Sequence, residues 1–148
     1  MSLVEQLDTD FKQALKAREA GRLSILRLVR SSIKNFEIAK QGTASDEDVV
    51  AILQREIKQH RESIEANEQA DRAPEVARLK QEVELLSAYL PAPLSSDELK
   101  DVVAGAIVAT NAEGLADVGK VMGTVMPQVK GRATGDAVGQ MVRELLGK

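Results

Sequence analysis

Apolar residues in this chain recur at steps of three and four almost from end to end, and no segment alternates residue by residue. Leu3, Leu7, Phe11, Ala14 and Leu15 form the first stripe, and Leu26, Val29, Ile33 and Phe36 the second. Val50, Leu53, Ile57, His60 and Ile64 form a third, and Val76, Leu79, Val83, Leu86 and Leu90 a fourth. Such steps place side chains on one side of an α-helix, whereas a half-buried strand needs a step of two. The pattern predicts an all-α protein whose helices pack along their lengths.

Punctuation divides the stripes. Ser2 with Glu5 has capping-box spacing, and Gly21 is the expected break after the first helix. The second helix is expected to end near Gln41-Gly42. The third should begin at Ser45, with Asp46, Glu47 and Asp48 at the positive end of its dipole. Ala66 to Ala73 reads as a loop, and Pro74 suits the first turn of a fourth helix.

Leu90-Pro91-Ala92-Pro93-Leu94 is the clearest boundary, because two prolines in three residues cannot continue a helix. The expected organisation is an N-terminal helical bundle over 1–90, a proline hinge over 91–94 and a three-helix domain over 95–148. In that domain Ser95 and Glu98 form another capping-box pair, ahead of Leu99, Val102, Val103, Ala106 and Ile107. Asn111 to Gly114 should end this helix. A short helix should follow from Asp117, with Val118, Val121, Met122 and Val125 inward and with Pro127 and Gly131 closing it. The last should run from about Gly135, with Val138, Met141, Val142, Leu145 and Leu146 inward.

Composition excludes several function classes. With no cysteine there is no disulfide, thiolate nucleophile or zinc ribbon, and the single histidine cannot build a multi-His metal site. No cofactor, metal site or catalytic residue is expected. No apolar run approaches the ~20 residues of a membrane span. The start, Met1-Ser2-Leu3-Val4-Glu5, lacks the features of a signal peptide. A cytoplasmic protein with no membrane partner is the expectation. The net charge of −3 argues against coating nucleic acid by bulk charge, but the charge is uneven. Residues 1–42 carry a net +3, residues 43–90 a net −5 and residues 91–148 a net −1. Between Asp117 and Asp136 there is no acid, while Lys120, Lys130 and Arg132 all fall there.

His60 lies on an apolar stripe four residues after Glu56, and the simple reading is a helix-interface histidine rather than a ligand or base. Asp46, Glu47 and Asp48 read as helix-start acids, and Glu62, Glu65 and Glu68 as a solvated face. Gly119, Gly123, Gly131, Gly135 and Gly139 fit close packing and turns. Their sharper role would be to let a phosphate or backbone approach Lys120, Lys130 and Arg132. The basic N-terminal residues Lys12, Lys16, Arg18, Arg22, Arg27, Arg30 and Lys34 read as an exposed face with internal ion pairs, since no aromatic platform accompanies them in the sequence.

The run Ala116-Asp117-Val118-Gly119-Lys120-Val121-Met122-Gly123, followed by Val125-Met126-Pro127-Gln128-Val129-Lys130-Gly131-Arg132-Ala133, is longer and more specific than these short motifs. Together with Leu90-Pro91 and Leu94-Ser95-Ser96-Asp97-Glu98-Leu99, it resembles the YqeY family over the whole chain. Over about residues 95–148 it is similar to the tail of the B subunit of the bacterial Glu-tRNA(Gln)/Asp-tRNA(Asn) amidotransferase. The resemblance implies a two-domain all-helical fold and a link to tRNA, which that tail contacts. Gly119, Lys120, Val121, Met122, Gly131, Arg132 and Ala133 match the shared motif. It also implies carbon–nitrogen ligase activity with glutamine as amide donor. The cradle domain and the Ser-Ser-Lys site that perform that chemistry in the amidotransferase have no counterpart in this sequence.

The first expectation is therefore a non-catalytic module for tRNA or structured RNA, using Lys120, Lys130 and Arg132 with Gly119 and Gly131. The rival is a helical adaptor for a protein partner, with an exposed apolar patch around Met122, Val125 and Met126. A ligase comes third, implied by family resemblance alone.

Overall fold

The computed structural model describes residues 1–147, and among them it contains seven α-helices, one short 3₁₀ turn and no strand. The chain divides into two compact units, Met1–Leu90 and a second that begins at Pro91.

The first unit holds α1 (Leu3–Ala17), α2 (Ala20–Lys40), α3 (Asp46–Gln69) and α4 (Ala73–Ser87), with α1 packed on α2 and α3 on α4. Its core joins Leu7 and Ala14 to Ile25, Leu26, Val29 and Ile33, and these to Val49, Leu53, Ile57 and Leu86. These residues belong to the expected stripes with three differences, of which the first is Ile25, buried beside Leu26 although no stripe included it. Val49 is buried in place of Val50, because Leu53 and Ile57 lie one and two helical turns beyond Val49. Leu15 falls off the end of its stripe and is half exposed.

Helix starts follow the serines. Ser2 with Glu5 and Ser45 with Asp48 both form complete capping boxes. The Leu3 N–H donates to Asp46 Oδ1 at 3.0 Å and ties the two starts together.

The stops differ from expectation at several places. Gly21 lies inside α2, and the chain breaks earlier, at Arg18 and Glu19. Arg18 takes a left-handed conformation, φ 56°, and Glu19 donates its N–H to the Ala14 carbonyl at 3.1 Å. The last carbonyls of α1 are thereby satisfied without glycine. The loop expected over Ala66 to Ala73 is also shorter: α3 continues to Gln69 and α4 opens at Ala73. Asn67 Nδ2 donates to the Ser63 carbonyl along this extension, whose residues are adequate helix formers.

The second unit holds α5 (Ser96–Thr110), a 3₁₀ turn (Leu115–Asp117), α6 (Val118–Val129) and α7 (Gly135–Leu146). The three α-helices share a core of Leu99, Val103, Ala106, Val121, Val125, Val129, Val138 and Val142. Met122, Met126 and Met141 are partly buried around it and fill the remaining gaps. The capping box expected at α5 is half made. Ser95 Oγ accepts the Glu98 N–H, but the Glu98 carboxylate takes the Ser95 hydroxyl rather than its N–H. Pro127 does not close α6 but lies within it. Having no N–H, it leaves the Gly123 carbonyl without its intrahelical partner.

Candidate nucleic-acid interface

The segment singled out by charge and by motif runs along α6 and through the turn after it. α6 turns Val121, Val125 and Val129 inward, all fully buried. Its opposite side therefore carries Gly119, Lys120, Gly123 and Pro127, all exposed. No atom of another element stands within 4 Å of where a side chain would begin at Gly119 or Gly123. The outer surface of the helix is thus bare backbone beside one cation, with the Gly123 carbonyl unclaimed by Pro127 on the same side. Lys to phosphate and a backbone carbonyl to a ribose 2′-hydroxyl are the two contacts such a surface can make.

α6 has no side-chain cap. The Asp117 carboxylate accepts the Glu113 N–H at 3.0 Å and is turned to the preceding loop.

After Val129 the chain reverses over Lys130 and Gly131. Lys130 has φ −54° and ψ 124°, and Gly131 has φ 81°. The Arg132 N–H closes the turn on the Val129 carbonyl at 2.8 Å. These are the marks of a type II turn, whose third residue needs a positive φ. Gly131 is therefore required by backbone shape, and it is buried. Its role is the turn itself, which presents Lys130 on the surface.

Arg132 is held from within its own unit. Its Nε donates to the Ala92 carbonyl at 2.9 Å, and its Nη2 stands 3.6 Å from Glu98 Oε2. Its own carbonyl accepts the Leu94 N–H at 2.9 Å. The phosphate-facing role expected of Arg132 thus competes with a latch on the proline segment. Lys120 and Lys130 stand at opposite ends of α6, about 15 Å apart along the axis at the usual rise. Lys120 on α6 and Lys130 and Arg132 in the turn after it do not converge on one pocket.

The patch expected around Met122, Val125 and Met126 is not an exposed surface. Val125 is fully buried, and both methionines pack against the core. The large apolar residues exposed in this unit are Val108 and Leu115.

In the first unit, His60 lies between α3 and α4 and is 8% exposed. Its Nδ1 is 3.0 Å from the Glu56 carbonyl and its Nε2 is 2.6 Å from Glu82 Oε2. Glu82, equally buried, also accepts from Arg78 Nη1 at 2.9 Å. His60 is a helix-interface residue with both ring nitrogens engaged. Glu82 escaped the sequence reading, although it falls between Leu79 and Leu86 on the buried face of α4. Among the described residues no group of three or more His, Asp or Glu side chains is placed to hold a metal ion. No single helix is long and apolar enough to cross a membrane.

One further correction concerns the basic N-terminal residues. An aromatic ring does accompany them: the guanidinium carbon of Arg30 lies 4.1 Å from the centroid of Phe11, and that of Arg27 lies 6.0 Å away. Phe11 is on α1, so only the fold brings it under α2.

The sequence profile of the family described as Yqey-like protein matches residues 4–146. A curated relative, altered inheritance of mitochondria protein 41, mitochondrial, from Pyrenophora tritici-repentis, is 26% identical over 149 residues. That alignment covers 98% of this chain and 81% of the relative. On the match that spans nearly its whole length, the chain belongs to the YqeY-like family.

Proposed function

We propose that this chain is a non-catalytic RNA-binding module that takes tRNA, or another structured RNA, on the outer face of α6. The observation that carries the reading is the exposed run of Gly119, Lys120 and Gly123, with open space over both glycines. A phosphate backbone can approach such a helix closely, with Lys120 and Lys130 as its counter-charges. The resemblance of residues 95–148 to the amidotransferase tail supports tRNA as the RNA. A cytoplasmic location fits, since tRNA is present there. Glutamine-dependent amidation is outside the proposal, because the cradle domain and Ser-Ser-Lys site that perform it in the amidotransferase have no counterpart in this sequence.

The test is tRNA binding by the purified chain at about 150 mM salt, beside Lys120→Ala/Lys130→Ala. Arg132 stays in place, because removing it would mix a folding effect with a binding effect. Roughly micromolar binding that weakens with salt and drops in the variant is expected. A folded wild type that ignores tRNA would overturn the reading.

A further inference from the structure

The N-terminal unit carries a second cationic face. From Ala20 to Phe36 the sequence has four basic residues and no acid. Arg22 is turned to Asp10 and Glu19. Arg27, Arg30 and Lys34 fall at i, i+3 and i+7, on the side of α2 away from Ile25, Val29 and Ile33. Arg30 is fixed by Asp8 at 2.9 Å and by the Phe11 ring beneath it. Arg27 rests over the same ring. Among the described residues neither Arg27 nor Lys34 has an ion-pair partner, and both are exposed. The adjoining row on that side is Ser24, Leu28, Ser31 and Asn35, of which Leu28 is an exposed apolar residue, with the exposed Ile38 one turn beyond Lys34.

We propose that this stripe of α2 is a phosphate-contacting surface for structured RNA, separate from the α6 face. Two unpaired cations span about 10 Å of helix with a preorganised guanidinium between them, and the hydroxyl and amide groups beside them suit sugar and phosphate oxygens. Insertion into a lipid surface is disfavoured, because Ile25, Leu26, Val29 and Ile33 are buried in the core, and the exposed Leu28 and Ile38 are too few to make an apolar face. An acidic amphipathic peptide would need a continuous apolar strip, and the two exposed apolar residues of this side, Leu28 and Ile38, are separated by Ser31 and Asn35. The choice of RNA rests on the function proposed above, whereas the anionic character of the ligand rests on α2 alone.

The experiment measures the affinity of a tRNA transcript across about 50–200 mM salt for four proteins. These are the wild type, Arg27→Ala/Lys34→Ala, the charge-conserving Arg27→Lys/Lys34→Arg, and Lys120→Ala. Thermal melting confirms that each is folded. Loss of two phosphate contacts should lower the slope of log affinity against log salt by about 2 and weaken binding on the order of tenfold or more. The charge-conserving pair should keep the wild-type slope. If Arg27→Ala/Lys34→Ala binds as the wild type while Lys120→Ala loses affinity, the α2 surface is refuted and the α6 reading survives. The reverse pattern upholds α2 and refutes α6. A wild type that binds phosphatidylserine vesicles and not tRNA overturns RNA as the occupant of both.

Discussion

Arg132 and Ala92, forty residues apart in sequence, are joined by a 2.9 Å hydrogen bond from the arginine Nε to the alanine carbonyl. Ala92 sits between the two prolines that follow α4, so the contact fixes the entry of the chain into the second unit. The Leu94 N–H, bonded to the Arg132 carbonyl, makes the same junction a second time. Arg132→Ala removes the side-chain bond to Ala92 and the contact with Glu98 but keeps the backbone bond to Leu94. It should destabilise the second unit by about 1 kcal/mol and speed amide exchange at Leu94 and Leu99. Unchanged exchange at both amides would show that the latch contributes nothing.

Gly131 makes the neighbouring turn. A side chain at φ 81° is strained, so Gly131→Ala should cost roughly 1–2 kcal/mol. Gly131→Asn should cost less, since asparagine tolerates the left-handed region. Equal melting temperatures for the two variants would contradict the type II turn.

The buried contact of His60 with Glu82 predicts a larger loss for a single variant than for a double one. Glu82→Ala leaves His60 and Arg78 without their shared partner and should destabilise the first unit by about 3 kcal/mol. His60→Leu/Glu82→Leu removes the polar pair altogether and should recover most of that loss. Denaturant midpoints of the two proteins decide it. A double variant less stable than Glu82→Ala would mean that the pair is a net stabiliser.

Tyr89 gives a clean titration, because it is the chain's single tyrosine and there is no tryptophan. Burial, reinforced by its hydrogen bond and charge contact with Asp10, pushes the phenol up to about 12, against a smaller opposing effect of Arg22. The folded state thus holds the phenolic proton more tightly than the unfolded chain does. The stability this contributes is present below pH 10 and is lost as pH rises from there through about 12. Phenolate absorbance of the folded protein should appear near pH 12, and that of Asp10→Asn at lower pH. Ionisation of the folded wild type at pH 10 would contradict the contact.

Periodicity made the helices legible, because a 3.6-residue repeat survives any local detail of packing. Its phase was less legible. Val49 and Val50 are the same residue type, and only the register set by Leu53 and Ile57 separates them. The stop near Gln41-Gly42 was legible, whereas those read from Gly21 and Pro127 failed where the backbone found another solution: Arg18 adopts the left-handed cap, at φ 56°, and α6 runs through Pro127. The candidate cations were legible as types and not as roles. Lys120 could be placed on an exposed face by counting from Val121. The partner of Arg132 is a backbone carbonyl, which leaves no mark in composition. Phe11 under Arg27 and Arg30 is likewise a product of helix pairing, and local spacing cannot reveal it.

The most direct measurement is to follow backbone amide resonances of the whole chain while unlabelled tRNA is added. Binding on the outer face of α6 predicts shifts at Gly119, Lys120 and Gly123, with a second set at Arg27, Ser31 and Lys34, while the cores around Val125 and Val29 stay in place. A full titration that moves none of the α6 resonances would contradict the account.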